Sequence, residues 1–255
     1  MQKHEVAEYL GATRDVEGWF FPIDAYLFAI LDEIQKEEGI AGDLFEIGVH
    51  HGKTAIFLAR MASGGEHVGV CDVFEQQELN RDRSGEGNRE IFQRHLRAHA
   101  SLDLVRVFAK LSADLTTSDT TTRCRFFHID GGHRPEDVMG DLHTALRALL
   151  PEGVVAVDDV FNPSWPGVSE GFYRFLGSGA FVPIAIGGNK VLLTRPDAAP
   201  RYERHWQNLD RWRTFIAPQP FALDFKEWMG RRVMTAIRTS WVDLDPMGAA
   251  QLHDV

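Results

Sequence analysis

Cysteine is scarce in this chain. There are two among 255 residues. Cys71 sits in an apolar run, and Cys124 lies between Arg123 and Arg125 just before another. Isolated small residues of this kind exclude a disulfide framework and a cysteine-ligated zinc site. They fit a reducing compartment. No apolar run approaches the ~20 residues that a bilayer-spanning helix needs, so no membrane partner is expected. Met1-Gln2-Lys3-His4-Glu5 has none of the apolar core of a signal peptide, and the expected location is cytoplasmic. Basic residues are the minority, with 27 Lys and Arg against 37 Asp and Glu and a formal net charge of -10. A general nucleic-acid surface would need clustered Lys and Arg and is excluded. Internal repeats and low-complexity tracts are also missing.

What remains is an ordinary globular balance, 44% hydrophobic and 25% charged. Apolar strands alternate with helical patterns. Asp43 to Gly48, His67 to Val73, Leu104 to Phe108, Arg125 to Ile129 and Val154 to Val157 read as buried strands. Pro22 to Glu38, Lys53 to Ala62, Asn88 to Ala98, Pro135 to Leu150 and Val168 to Leu176 read as helices. This alternation predicts an α/β fold with a doubly wound, mostly parallel sheet. Phe181 to Ile186 and Lys190 to Thr194, joined by Gly187-Gly188-Asn189, predict an antiparallel edge hairpin. Tyr202, Trp206, Leu209, Trp212, Phe215 and Ile216 recur at helical spacing. The expected organisation is a helical segment over 1–42, a ligand-binding domain over 43–196 and a helical extension over 197–255. That extension would complete the core, form an oligomer contact or cover a pocket.

Acidic residues collect where such a sheet binds its ligands, past the carboxyl ends of strands. Phe126-Phe127-His128-Ile129 leads into Asp130-Gly131-Gly132-His133. Val154-Val155-Ala156-Val157 leads into Asp158-Asp159. Adjacent carboxylates past a buried strand are costly without a partner. Hard oxygen donors suggest Mg²⁺ or a similar divalent cation. His133 is a candidate base, since free imidazole titrates near ~6.5. His128, inside the strand, reads as a satisfied core histidine.

The first strand-to-helix turn, Glu46-Ile47-Gly48-Val49-His50-His51-Gly52-Lys53-Thr54, admits two readings. Gly52-Lys53-Thr54 fits the end of a phosphate-binding loop, but the glycine that motif needs falls on Ile47. The alternative is a nucleoside-binding turn, which predicts an acid at the end of the second strand to hold a ribose. Asp72 stands there.

Taken together, Glu46-x-Gly48-x-x-x-Gly52-x-Thr54, Asp72, Ile129-Asp130-Gly131-x-His133 and Asp158-Asp159 with Pro166-Gly167-Val168 beyond resemble the class I S-adenosylmethionine-dependent methyltransferases. More narrowly, the set is similar to the metal-dependent sugar O-methyltransferases of the macrocin O-methyltransferase type. The resemblance covers roughly Asp43 to Pro196. It implies a Rossmann-like, seven-stranded sheet of order 3-2-1-4-5-7-6. It also implies S-adenosylmethionine and Mg²⁺ as cofactors, a sugar or glycoside acceptor, and in many relatives a homo-oligomer. Glu46, Gly48 and Gly52 would line the methionine end of the cofactor, Asp72 its ribose and Ser112 its adenine. Asp130, Asp158 and Asp159 would hold the metal. Asp130 would also border the cofactor, and His133 would join it in catalysis. His51 and Trp165 are candidate acceptor contacts. A catechol-like natural product could chelate the same metal through its diol. A non-catalytic nucleotide-binding protein would keep the turn and Asp72 but need no metal.

Overall fold

The computed structural model describes residues 1–120, 123–217 and 219–239. The helices are α1 (Lys3–Ala12), α2 (Pro22–Glu37), α3 (Lys53–Met61), α4 (Arg89–His99), α5 (Thr117–Thr120), α6 (Pro135–Ala148), α7 (Pro166–Leu176), α8 (Ala199–Trp206) and α9 (Leu209–Ile216). The strands are β1 (Asp43–Ile47), β2 (Val68–Asp72), β3 (Val105–Ala109), β4 (Cys124–Ile129), β5 (Leu149–Val157), β6 (Val182–Gly187), β7 (Lys190–Thr194), β8 (Phe221–Trp228) and β9 (Arg231–Arg238). They form a single sheet of order β3-β2-β1-β4-β5-β7-β6-β9-β8. β1 to β5 pair in parallel, and β7 runs antiparallel to β5 and β6. This is the expected doubly wound, mostly parallel sheet; the β6–β7 hairpin is antiparallel as expected but lies inside the sheet, because β9 pairs with β6.

Alternation along the strands sends successive side chains to opposite faces. Leu44, Val70, Phe126, Val154, Ala156 and Leu192 face α2, α3, α8 and α9. Phe45, Ile47, Phe127, Ile129, Val155 and Val157 face α6 and α7. Phe45 stacks between Phe108 and Phe127, with ring centroids 6.0 and 4.9 Å away. α2 is buried nearly all round, because α9 and the sheet enclose it from different sides. Asp24 therefore enters the interior at the amino end of α2, and Asp32 and Gln35 do so further along.

The amino ends of the strands carry a closed polar network. The buried Arg125 guanidinium donates from Nε to Glu66 Oε1 at 2.8 Å, from Nη2 to Glu66 Oε2 at 3.0 Å and from Nη1 to Gln35 Oε1 at 2.8 Å. Asp32 Oδ1 lies 2.9 Å from the same group. A bidentate pair of this type fixes geometry as well as charge. It braces α2 against β4 at the end of the sheet away from the ligand side.

One expectation is corrected. The segment after α9 is not helical. Phe221–Trp228 and Arg231–Arg238 form an antiparallel hairpin, and β9 pairs in parallel with β6. The sheet has nine strands rather than seven. The turn is Met229-Gly230, with φ of 52° and 71°. Two positive φ values match the twist of a tight hairpin. Residues 240–255, the end of the expected extension, lie outside the described residues. No helix among the described residues is long and apolar enough to cross a membrane.

Candidate active site

Strand register assembles the site. Ile47 pairs with Cys71 and Ile129, Ile129 with Val157, and Val157 with Val191. The next residue beyond each is Gly48, Asp72, Asp130, Asp158 and, on the antiparallel β7, Lys190. Backbone bonds continue the ladder one step further. Gly48 N–H donates to Cys71 O (2.9 Å), Asp130 N–H to Ile47 O (2.8 Å) and Asp158 N–H to Ile129 O (2.9 Å). Gly48 has φ +81°, and a Cβ there would lie 1.6 Å from the Asp130 carbonyl oxygen. Its need for glycine thus comes from the neighbouring strand end.

Glu46, His128, Asp130, Asp158 and Lys190 share the face toward α2. Glu46 and His128 are direct register partners, and Glu46 Oε1 lies 3.0 Å from His128 Nδ1. His128 Nε2 is buried with no hydrogen-bond partner. One ligand atom each from His128, Asp130 and Asp158 falls within 4.8 Å of the others. The Lys190 ammonium, 1% exposed, donates to Asp158 Oδ2. Asp24, at the amino end of α2, stands against Gly188 just before Lys190. Burial, then repulsion from Asp158, pushes the Asp130 carboxyl well above the usual carboxylate range. Burial does the same to Glu46 and lifts Asp24 to about 7. Burial raises Asp158 too, although Lys190 opposes it. Burial and then Lys190 hold the His128 imidazole well below its ordinary value. Lys190 is held above its ordinary value: burial opposes this, but Asp158, Asp24 and Asp130 outweigh it. Three buried carboxylates and the partly buried Asp130 thus face one ammonium.

Asp159 turns to the other side. Its φ of 59° swings the side chain away from Asp158. Asp159 Oδ1 accepts Asn162 Nδ2 at 2.9 Å, and Oδ2 lies 3.3 Å from His133 Nε2. Burial opposes ionisation of Asp159, but the His133 and Asn162 contacts prevail and keep it below the usual range. His133 lies flat on Trp165, with centroids 4.1 Å apart and planes 16° apart. Its Nδ1 is 3.4 Å from Asp82 Oδ2, which also accepts the His133 backbone N–H. Asp82 belongs to the polar 81–87 loop, so that loop is fastened to the candidate base.

On the β1–β2 side, Asp72 organises the turn. Its Oδ2 accepts the N–H groups of Val49 (2.6 Å) and His50 (2.9 Å), and Oδ1 accepts that of Phe74 (2.6 Å). Gly52 caps α3 with φ +92°, and a Cβ there would meet Phe92 at 2.5 Å. His51 is buried, 3.0 Å from Glu17 and stacked on His50 at 3.9 Å. It therefore belongs to a separate Glu17–His50–His51 group rather than to the carboxylate cluster. Ser112 hydrogen-bonds the buried Asp141 carboxylate beneath Gly131.

Residues 45–160 match the profile of a family described as "Methyltransferase domain". Over that span, 116 of the chain's 255 residues, it resembles a methyltransferase domain. Its fold is similar to that of the O-methyltransferase NovP, at 21% identity over 70% of this chain and 83% of that one, with TM-score 0.57. An O-methyltransferase from Bacillus cereus solved in complex with SAH matches at 17% identity, with coverage of 75% and 88% and TM-score 0.52. CalS11, a TDP-rhamnose 3'-O-methyltransferase of calicheamicin biosynthesis, matches at 16% identity, with coverage of 77% and 82% and TM-score 0.50. No curated protein sequence matches the chain.

The match to a methyltransferase domain favours the nucleoside-binding reading of the glycine turn over the phosphate-binding loop. The acidic cluster also fits a divalent cation. The Asp130 carboxylate shows no hydrogen bond or ion pair among the described residues, and the His128 imidazole, whose Nε2 has no partner, shares a cluster with it. Three residues in and around this site are not singled out by the sequence. Lys190 opens an apolar strand after a Gly-Gly-Asn turn, and only the register places it opposite Asp158. His128 shares a face with Asp130 by the period of two, a signal that its apolar neighbours obscured. Asp82 lies in the polar 81–87 loop, whose charge fits either closure over a substrate or plain solvation and does not single out this carboxylate.

Proposed function

We propose that the chain is an S-adenosylmethionine-dependent O-methyltransferase acting on a hydroxyl of a sugar or glycosylated small molecule, with a divalent cation, nominally Mg²⁺, at the floor of its site. The observation that supports this reading best is the unpartnered Asp130 carboxylate at the sheet's carboxyl edge. It stands between the Gly48 turn and the Asp158–Asp159 pair, with an imidazole nearby. Oxygen donors suit Mg²⁺, and Asp130 and Asp158 are the residues that would hold it, whereas Asp159, expected in the same set, is turned toward His133 and Asn162. A bound cation would lower the pKa of an acceptor hydroxyl and fix its orientation. S-adenosylmethionine brings an already activated methyl group, so the protein's task is positioning and deprotonation.

The chain's own groups divide that task. Glu46, Gly48 and Gly52 border the methionine end of the cofactor. Asp72 and Ser112 serve its nucleoside end. Asp72 has both oxygens engaged by turn N–H groups, yet each carboxylate oxygen has a second lone pair for a ribose hydroxyl. His133 is the base that takes the acceptor proton, with Asp159 beside its Nε2 and Asp82 beside its Nδ1 to stabilise the imidazolium. Trp165 fixes the imidazole plane by stacking and borders the acceptor. The fold likeness to a TDP-rhamnose methyltransferase supports a sugar acceptor rather than a catechol.

Asp130→Asn tests the assignment. Methyl transfer should fall on the order of 10²-fold or more, while S-adenosylhomocysteine still binds in calorimetry. Retained turnover in both Asp130→Asn and Asp158→Asn would remove the metal from the reading.

A further inference from the structure

We propose that His128 is itself a ligand of the cation, through Nε2, and that the site therefore prefers a first-row transition ion such as Mn²⁺ to Mg²⁺. The inference rests on the metal-bearing reading above and adds the identity of the ion.

Three observations converge on it. His128 is fully buried, and its Nε2 has no hydrogen-bond partner. A buried polar atom of this kind carries an uncompensated desolvation cost unless something binds it. The same imidazole shares one cluster with Asp130 and Asp158, their ligand atoms all within 4.8 Å of one another. Asp130 and Asp158, not the Asp130–Asp158–Asp159 set, converge with it. Asp159 is turned toward His133 and Asn162.

The third observation is the support behind the ring. Glu46 Oε1 stands 3.0 Å from His128 Nδ1. A carboxylate on one ring nitrogen fixes the tautomer and leaves the other nitrogen's lone pair for a metal. That is how metal-bound histidines are usually held. Strand register supplies this geometry without loop flexibility, because Glu46 and His128 are direct partners on β1 and β4. Oxygen-only sites suit Mg²⁺, whereas an imidazole in the set shifts preference toward Mn²⁺, Fe²⁺, Co²⁺ or Zn²⁺. Lys190, donating to Asp158, is the cation of the chain that shares the cluster.

The test uses the full-length, metal-stripped protein with Mn²⁺ as the probe. Electron-spin-echo spectroscopy of the Mn²⁺ complex should show imidazole nitrogen coupling, and growth on ¹⁵N-histidine should change its pattern. The coupling should vanish in His128→Gln and persist in His133→Gln, whose ring stands beside Asp159. Mn²⁺ should bind the wild type on the order of 10-fold or more tighter than Mg²⁺ does, and His128→Gln should erase that margin. Bound Mn²⁺ without nitrogen coupling in the wild type would overturn the proposal. So would coupling that survives in His128→Gln, or no Mn²⁺ binding at all. If His128→Gln fails to fold, the His133→Gln spectrum decides the matter: coupling that persists there supports His128, and coupling lost there overturns the proposal. Calorimetry with S-adenosylhomocysteine on the same protein separates the two readings. Cofactor binding without nitrogen coupling ends the His128 assignment alone, and absence of cofactor binding ends the methyltransferase reading.

Discussion

Single residues in this structure are constrained chiefly by what lies one strand away. Gly48 is the clearest instance. Its left-handed φ and the 1.6 Å approach of the Asp130 carbonyl to a hypothetical Cβ leave no room for alanine. Gly48→Ala should destabilise the fold by about 3 kcal/mol or more, combining overpacking with a strained backbone. Urea denaturation would measure this. Asp141 makes a second residue-scale prediction. Burial, partly offset by Ser112 and reinforced by Asp137, lifts its carboxyl to about 7. An unfolded aspartate titrates near ~3.9. Between these values the folded chain holds a proton that the unfolded chain has lost. Stability from this group is therefore greatest at low pH and declines as pH rises toward 7, by at most about 1.4 kcal/mol per pH unit. Asp141→Asn should flatten the melting temperature between pH 5 and 7. An unchanged slope would refute the assignment.

At the scale of elements, the sequence disclosed most of what regular periodicity can disclose. Five parallel strands, their intervening helices and the β6–β7 hairpin stand where the apolar runs and the Gly187-Gly188-Asn189 turn put them. The β8–β9 hairpin was obscured. Phe221, Leu223 and Phe225 alternate with period two, but they follow two helices whose aromatic spacing suggested more of the same. The turn, Met229-Gly230, lacks the asparagine or aspartate that usually marks a tight hairpin. Met229 adopts φ 52°, a conformation that asparagine tolerates better than methionine. Met229→Asn should raise stability by about 0.5–1 kcal/mol, read as a higher denaturation midpoint with unchanged slope. A lower midpoint would mean that the half-exposed methionine packs more than its turn geometry suggests.

Across the whole molecule, two charge clusters stand at opposite ends of one sheet. At the amino ends, Arg125 is matched by Glu66, Asp32 and Gln35, and the network serves packing. At the carboxyl ends, three buried carboxylates and the partly buried Asp130 share Lys190, and His128 Nε2 has no partner. That imbalance is what a ligand would correct. The sequence showed the acids of this site because they follow apolar strands. It hid Lys190 and His128 because their roles depend on register across strands far apart in the chain. Lys190→Met removes the ammonium from a buried group of carboxylates and should lower stability by about 3–5 kcal/mol without metal. Added Mn²⁺ should restore part of that loss in a thermal melt, since a ligand that binds the folded state alone stabilises it.

The most direct measurement is methyl transfer by the wild-type protein from S-adenosylmethionine to a panel of nucleotide sugars and glycosides. It would be followed by mass spectrometry before and after metal removal. The expected result is a singly methylated acceptor that disappears with EDTA and returns with Mn²⁺ or Mg²⁺. Equal transfer by the stripped protein, with S-adenosylhomocysteine bound, would reduce Asp130, Asp158 and Asp159 to structural acids and contradict a metal-dependent site.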